Sequence, residues 1–132
     1  MNLLAVDFGE KNIGLAFYSP AAKIPLTLEP LRVGSKAEAL AKLGELVKEK
    51  EVGKVVFGLP LNFEFAETEQ SQKTRQFAKE LFETHGVEVD FVNEVLSSVL
   101  ASQLRGSSKD SHSSSALLIL EDYLDKLEEL GS

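Results

Sequence analysis

Two carboxylates stand where short apolar runs stop. Asp7 closes Leu3-Leu4-Ala5-Val6 and is followed at once by Phe8-Gly9, while Glu94 comes just after Val87-Glu88-Val89-Asp90-Phe91-Val92. The first run reads as a buried central strand, and the second alternates with period two. An ionised carboxylate at the end of a buried strand requires a cation, a set of donors or open water, because unpaired burial costs several kcal/mol. A metal ion is one answer for Asp7; a side-chain cap on the turn that follows is the other. The chain contains no cysteine. Thiolate zinc sites, disulfides and cysteine nucleophiles are thereby excluded, which is compatible with a reducing cytoplasm.

The elements that must carry these residues can be read in order. Asn12-Ile13-Gly14-Leu15-Ala16-Phe17-Tyr18 is a second β-rich run, so Gly9-Glu10-Lys11 reads as a hairpin turn that displays Asp7 beside its bend. Ile24 to Val33 alternates poorly and contains Pro25 and Pro30, which suits an edge strand. Ser35-Lys36-Ala37-Glu38 is a capping-box pattern, and Leu40, Leu43, Leu46 and Val47 predict a helix from about Lys36 to Lys50, broken by Gly53. Lys54-Val55-Val56-Phe57 predicts a buried strand delivering a loop that begins at Gly58-Leu59-Pro60-Leu61-Asn62 and holds Phe63 and Phe65. Phe77, Ala78, Leu81 and Phe82 give one face of a helix from Thr68 to His85, stopped by Gly86; His85 itself reads as a cation at a helix C-terminus. Ser97 or Ser98 caps a short helix through Leu104, Arg105 to His112 is a loop, and Leu117, Leu120, Leu124 and Leu127 define the last amphipathic helix. Three strands followed by strand-helix alternation imply one α/β domain over residues 1–132, a mixed sheet with helices on its faces.

The charge balance is acidic, 14 basic against 21 acidic side chains for a net of −7. Phosphate-binding proteins usually carry a basic stripe, and none is visible along this chain. The charge-dense stretch from Glu121 to Glu129 is most simply a solvated helix face. No run of about 18 apolar residues and no basic-then-apolar leader occurs, so the expectation is a soluble cytoplasmic protein without a membrane partner.

Taken together, Asp7-Phe8-Gly9-Glu10-Lys11-Asn12-Ile13-Gly14-Leu15-Ala16, Gly58-Leu59-Pro60-Leu61-Asn62, Arg75-Gln76-Phe77-Ala78, Asn93-Glu94-Val95-Leu96-Ser97-Ser98 and Ile119-Leu120-Glu121-Asp122-Tyr123-Leu124 resemble, in order and spacing, the YqgF family, also called RuvX. The resemblance covers essentially the whole chain. It implies a ribonuclease H-like fold with a five-stranded sheet and a nuclease activity, either 5′-end processing of precursor 16S ribosomal RNA in ribosome biogenesis or resolution of Holliday junctions. It also implies acidic residues holding divalent metal, Mg²⁺ or Mn²⁺, with Asp7 as the central ligand and Glu94 as the second. Nucleic acid, RNA or branched DNA, is the implied partner, bound by a monomer or a homodimer.

The chain departs from the family pattern at several positions. Asn93-Glu94-Val95 stands where Asp-Glu-Arg is usual, and Asn12 where a basic residue is usual. His112 occupies the third acidic position, with Asp110 two residues earlier as a substitute. Imidazole ligates softer ions than Mg²⁺ and also serves as a general acid or base. The loop before the last helix keeps only Arg105 and Lys109 as cations. The expected phosphate contacts are Lys11, Lys73, Arg75, Lys79, Arg105 and Lys109, and Asn62 is expected at the edge of the site. Two other classes stay open. Asp-x-Gly before a glycine hairpin also opens the phosphate-binding lobes of actin-like and sugar-kinase ATPases, and the departures suit a degenerate, non-catalytic binding domain.

Overall fold

The computed structural model describes residues 1–9, 11–61, 68–95 and 111–131, with residues 60, 61, 94, 95, 111–114 and 128–131 described by their backbone alone. The elements are β1 (Asn2–Asp7), β2 (Asn12–Tyr18), β3 (Leu26–Arg32), α1 (Lys36–Glu49), β4 (Val52–Leu61), α2 (Glu69–His85), β5 (Glu88–Val95) and α3 (Ser111–Gly131). The sheet order is β3-β2-β1-β4-β5. β1 pairs antiparallel with β2 and β2 with β3, whereas β1–β4 and β4–β5 are parallel. This is the expected mixed five-stranded sheet. The short helix expected to end at Leu104 and the aromatics Phe63 and Phe65 lie outside the described residues.

β1 is the central strand because both of its faces are covered. Leu4 and Val6 join Ile13, Leu15, Val55 and Phe57 under α1 and α2, which contribute Ala39, Leu43, Phe77, Ala78 and Leu81. Leu3 and Ala5 face the other way, with Ala16, Val56 and Val92, onto Ala116, Ile119, Leu120 and Tyr123 of α3. The period of two along β1 therefore divides one apolar run between two cores.

β3 explains its own poor alternation. Leu15 pairs with Leu28 and Ile13 with Leu31, so two steps along β2 match three along β3. The extra residue is a bulge at Glu29-Pro30. It returns Leu28 and Leu31, three apart, to the same face, where both pack on the α1–α2 core. Pro30 is tolerated because this is an edge strand.

Several boundaries differ from the sequence reading. Gly53 does not break α1; it lies inside β4, where an added Cβ would be 3.0 Å from the Met1 side chain. The reversal falls on Glu51, which adopts φ 51°. Gly58-Leu59-Pro60-Leu61 is strand and not loop, pairing with Val92-Asn93-Glu94-Val95. Pro60 falls near the end of β4, past the residues of that strand that pair with β1. The α2 face consists of Ser71, Thr74, Phe77, Ala78 and Leu81, while Phe82 is 50% exposed. In α3 the buried residues are Ala116, Ile119, Leu120 and Tyr123, and Leu127 is 43% exposed. Of the four leucines, Leu120 is buried and Leu117 and Leu124 pack against the same core, so leucine spacing found the face but left out its alanine and tyrosine.

Candidate active site

Asp7 is the last residue of β1 and is half-buried, level with Gly14 of β2 and engaged with a neighbour. The turn after it is tight. A Cβ on Gly9 would lie 2.4 Å from the Asn12 carbonyl oxygen, so glycine is required for the chain to come back into β2. The first turn of α2 holds the bend from the other side, where Gln70 Nε2 donates to the Phe8 carbonyl at 2.9 Å. That turn is itself fixed by a reciprocal cap. Thr68 Oγ1 accepts from Ser71 N–H at 3.1 Å, and Ser71 Oγ accepts from Thr68 N–H at 2.8 Å. Phe8 stacks on Phe77 with centroids 4.4 Å apart, which anchors the bend in the core.

Glu94 lies within β5 and not after it, since the strand continues to Val95. Val6 is level with Phe57, and Phe57 with Phe91. Glu94 is thus two strands across from Asp7 and two residues further along, a backbone separation of about 12 Å at ordinary sheet spacings. Both stand at the carboxyl edge of the parallel strands, where open α/β sheets bind ligands.

The path of α3 can be followed from Tyr123. Tyr123 reaches β4 and β5, where its hydroxyl donates to Asp90 Oδ2 at 2.9 Å and accepts from Lys54 Nζ at 3.2 Å. Lys54 is level with Leu3, near the start of β1. His112 is in the first turn of α3, eleven residues before Tyr123, so its backbone lies about 16 Å back along the helix axis. Leu3 to Asp7 covers about 13 Å. That length of helix is enough to span from Leu3 to Asp7 if α3 runs along β1. Asp110, Asn62, Arg105 and Lys109 lie outside the described residues, and among the described residues no group of three or more potential metal ligands occurs.

The described cations fall into two sets. Arg75 sits over the Phe91 ring at 5.2 Å, and Lys73 pairs with Glu69 at 3.7 Å. Lys79 is exposed on α2, and His85 bonds the Leu40 carbonyl at 3.0 Å, a helix-to-helix contact instead of a simple terminal charge. Lys11 is exposed in the turn before β2, where its carbonyl accepts from Val33 N–H at 2.9 Å. Arg32 is directly opposite Asn12 across β2 and β3. No sequence signal marks Arg32, because only the strand pairing brings it beside the hairpin turn.

The Lys54–Tyr123–Asp90 network is likewise invisible along the chain, joining residues up to 69 positions apart. The hydrogen bond to Tyr123 raises the Lys54 pKa, and burial raises that of Tyr123. The network ties α3 to β4 and β5.

A sheet in this order, with carboxylate-bearing strands ending at one edge and helices on both faces, defines a ribonuclease H-like protein. Its fold is similar to RuvC from T. thermophilus solved in complex with a Holliday junction substrate, with a TM-score of 0.60 and 18% identity over 90% of each chain. It is also similar to the fowlpox virus Holliday junction resolvase, with a TM-score of 0.60 and 13% identity over 96% of this chain and 100% of that one. A ROK family protein from Streptococcus pneumoniae shares the fold at a TM-score of 0.50, over 70% of this chain and 34% of its own. In sequence, the chain is 36% identical over 127 residues to a Bordetella pertussis protein named as a candidate pre-16S rRNA nuclease, covering 96% of each. It is 32% identical over 133 residues to a Dictyoglomus thermophilum protein of the same name, covering 95% of this chain and 96% of that one. The model of the family described as RuvX, Holliday junction resolvase, matches residues 1–126, and the chain belongs to that family.

Proposed function

We propose that this RuvX nuclease trims the 5′ end of precursor 16S ribosomal RNA in the cytoplasm, with Asp7 and Glu94 holding a divalent metal. His112 completes the ligand set, or Asp110 does so in its stead. What supports this reading is that β1 and β5 end at one edge of the sheet, each with a carboxylate residue at or next to its end. The donors suit the ion: carboxylate oxygens are the ligands Mg²⁺ prefers, and an imidazole moves the balance towards Mn²⁺. When bound, the metal lowers the pKa of the attacking water and stabilises the leaving oxygen. The chain's own contribution is position. The Gly9 turn, the Gln70 bond and the Phe8–Phe77 stack hold Asp7 at the strand end, and Lys11 and Arg75 on this side of the molecule, with Asn62, Arg105 and Lys109, contact the substrate backbone.

The likeness to RuvC favours a second reading, cleavage of four-way DNA, which calls for a symmetric dimer acting on paired strands. The test is incubation of the protein with an RNA carrying the extended 16S 5′ end, and with a four-way DNA junction, each with Mg²⁺ or Mn²⁺. Shortening of the RNA is expected, reduced on the order of a hundredfold or more in Asp7→Asn. Cutting of the junction alone, by a species of twice the chain mass, establishes the resolvase reading. No cleavage of either substrate removes both.

A further inference from the structure

Two cavities adjoin the bend after Asp7 on the α1–α2 side of the sheet. One, of about 290 Å³, is lined by Phe8, Val33, Ala39 and Phe77, with Lys36 and Lys73 among its polar residues. The other, of about 510 Å³, is lined by Lys11, Asn12, Arg32, Val33 and Gly34. Val33 is common to both, so an apolar cavity with an aromatic wall opens beside a cleft carrying two cations. The smaller volume is at the low end for small-molecule sites, about 300 Å³.

The charges are arranged unequally. Glu80 beside the apolar cavity is paired with Lys36 at 2.8 Å, and Glu38 with Lys42 at 2.9 Å and with the Gly34 N–H at 2.8 Å. Lys73 is matched by Glu69. Lys11 and Arg32 have no carboxylate partner among the described residues. In a chain of net charge −7 this cleft keeps two cations without a carboxylate partner among the described residues.

Resting on the nuclease reading, we propose that the two cavities form a subsite for one unstacked nucleotide of a single-stranded segment next to the bond that is cut. The base enters the Phe8 cavity, whose aromatic wall is indifferent to base identity, and its phosphate lies between Lys11 and Arg32. Leu3 and Ala5 assign Asp7 by alternation to the α3 side of β1, while Phe8 packs on the opposite core. The strand of nucleic acid therefore crosses the carboxyl edge of the sheet between the two. A continuous duplex cannot release a base into such a cavity without unpairing, so the substrate is single-stranded at this point.

The test is binding, followed by fluorescence anisotropy without divalent metal, of a ten-nucleotide single-stranded RNA and of the duplex of the same sequence. The proteins are the parent, Arg32→Gln, and Gln76→Trp, which fills the apolar cavity from the exposed face of α2. Arg32→Gln is expected to weaken single-strand binding roughly fivefold to tenfold and to reduce the salt slope by about one. Gln76→Trp is expected to weaken single-strand binding about tenfold and leave duplex binding unchanged. The proposal is overturned if neither variant changes single-strand affinity, if single strand and duplex lose equally, or if a free nucleoside monophosphate binds as tightly as the strand. Loss of cleavage in Asp7→Asn with no effect of either variant on binding removes the subsite and leaves the nuclease. The expected binding pattern in a protein that cuts nothing removes the nuclease and leaves the subsite.

Discussion

Asp7 depends on its neighbours being small in one place and bulky in the next. Gly9 lets the chain turn within van der Waals contact of the Asn12 carbonyl, and Phe8 fixes the turn by stacking on Phe77. Gly9→Ala has no room for its methyl, so the bend must move. A loss of about 1–3 kcal/mol in chemical denaturation is expected, with cleavage falling more steeply than stability because Asp7 shifts with the bend. The place of Asp7 at a strand end was legible in the sequence, because the apolar run from Leu3 to Val6 stops there. Gln70 and Arg32 were not legible. Gln70 bonds the Phe8 carbonyl 62 residues away, and Arg32 comes level with Asn12 only through strand pairing.

At the scale of elements, helix starts decide both stability and chemistry. In α1 the Ser35 hydroxyl accepts from Glu38 N–H at 3.2 Å, but the Glu38 carboxylate passes over Ser35 and takes the Gly34 N–H. That hydrogen bond, and then Lys42, holds the Glu38 pKa below its ordinary value of 4.5. A depressed pKa contributes stability above the unfolded value and loses it as pH falls through the folded one. The melting temperature of the parent should therefore approach that of Glu38→Gln as pH falls below about 4.5, measured by circular dichroism. The start of α3 carries a chemical prediction. If His112 is a ligand, His112→Asp should raise Mg²⁺-dependent cleavage and flatten the loss of activity below the ordinary imidazole pKa of about 6.5, whereas His112→Ala abolishes cleavage. Failure of Asp110→Asn instead, with His112→Ala active, assigns the position to Asp110. Spacing identified every described helix and most of the α2 and α3 faces, and it missed Ser71, Thr74, Ala116 and Tyr123 because they are buried without being large aliphatics. Strand ends were read short at β4 and β5, where pairing with a parallel neighbour, a long-range event, carries the backbone past Pro60 and Glu94.

Across the whole molecule, the first strand lies in the middle of the sheet, and α3 comes after every other described element. During synthesis the segments leave the ribosome in chain order, at roughly 5–20 residues per second. β1, β2, β3 and α1 are thus available to one another while one face of the sheet, with Leu3, Ala5 and Ala16, still lacks its cover. The residue at position 112 arrives only with α3, and the Tyr123 hydroxyl then ties that helix to Lys54 and Asp90 on strands already made. A partly made chain can hold Asp7 in its turn before α3 exists, so under the proposed reading the nuclease is assembled with its cutting edge incomplete until the covering helix has docked.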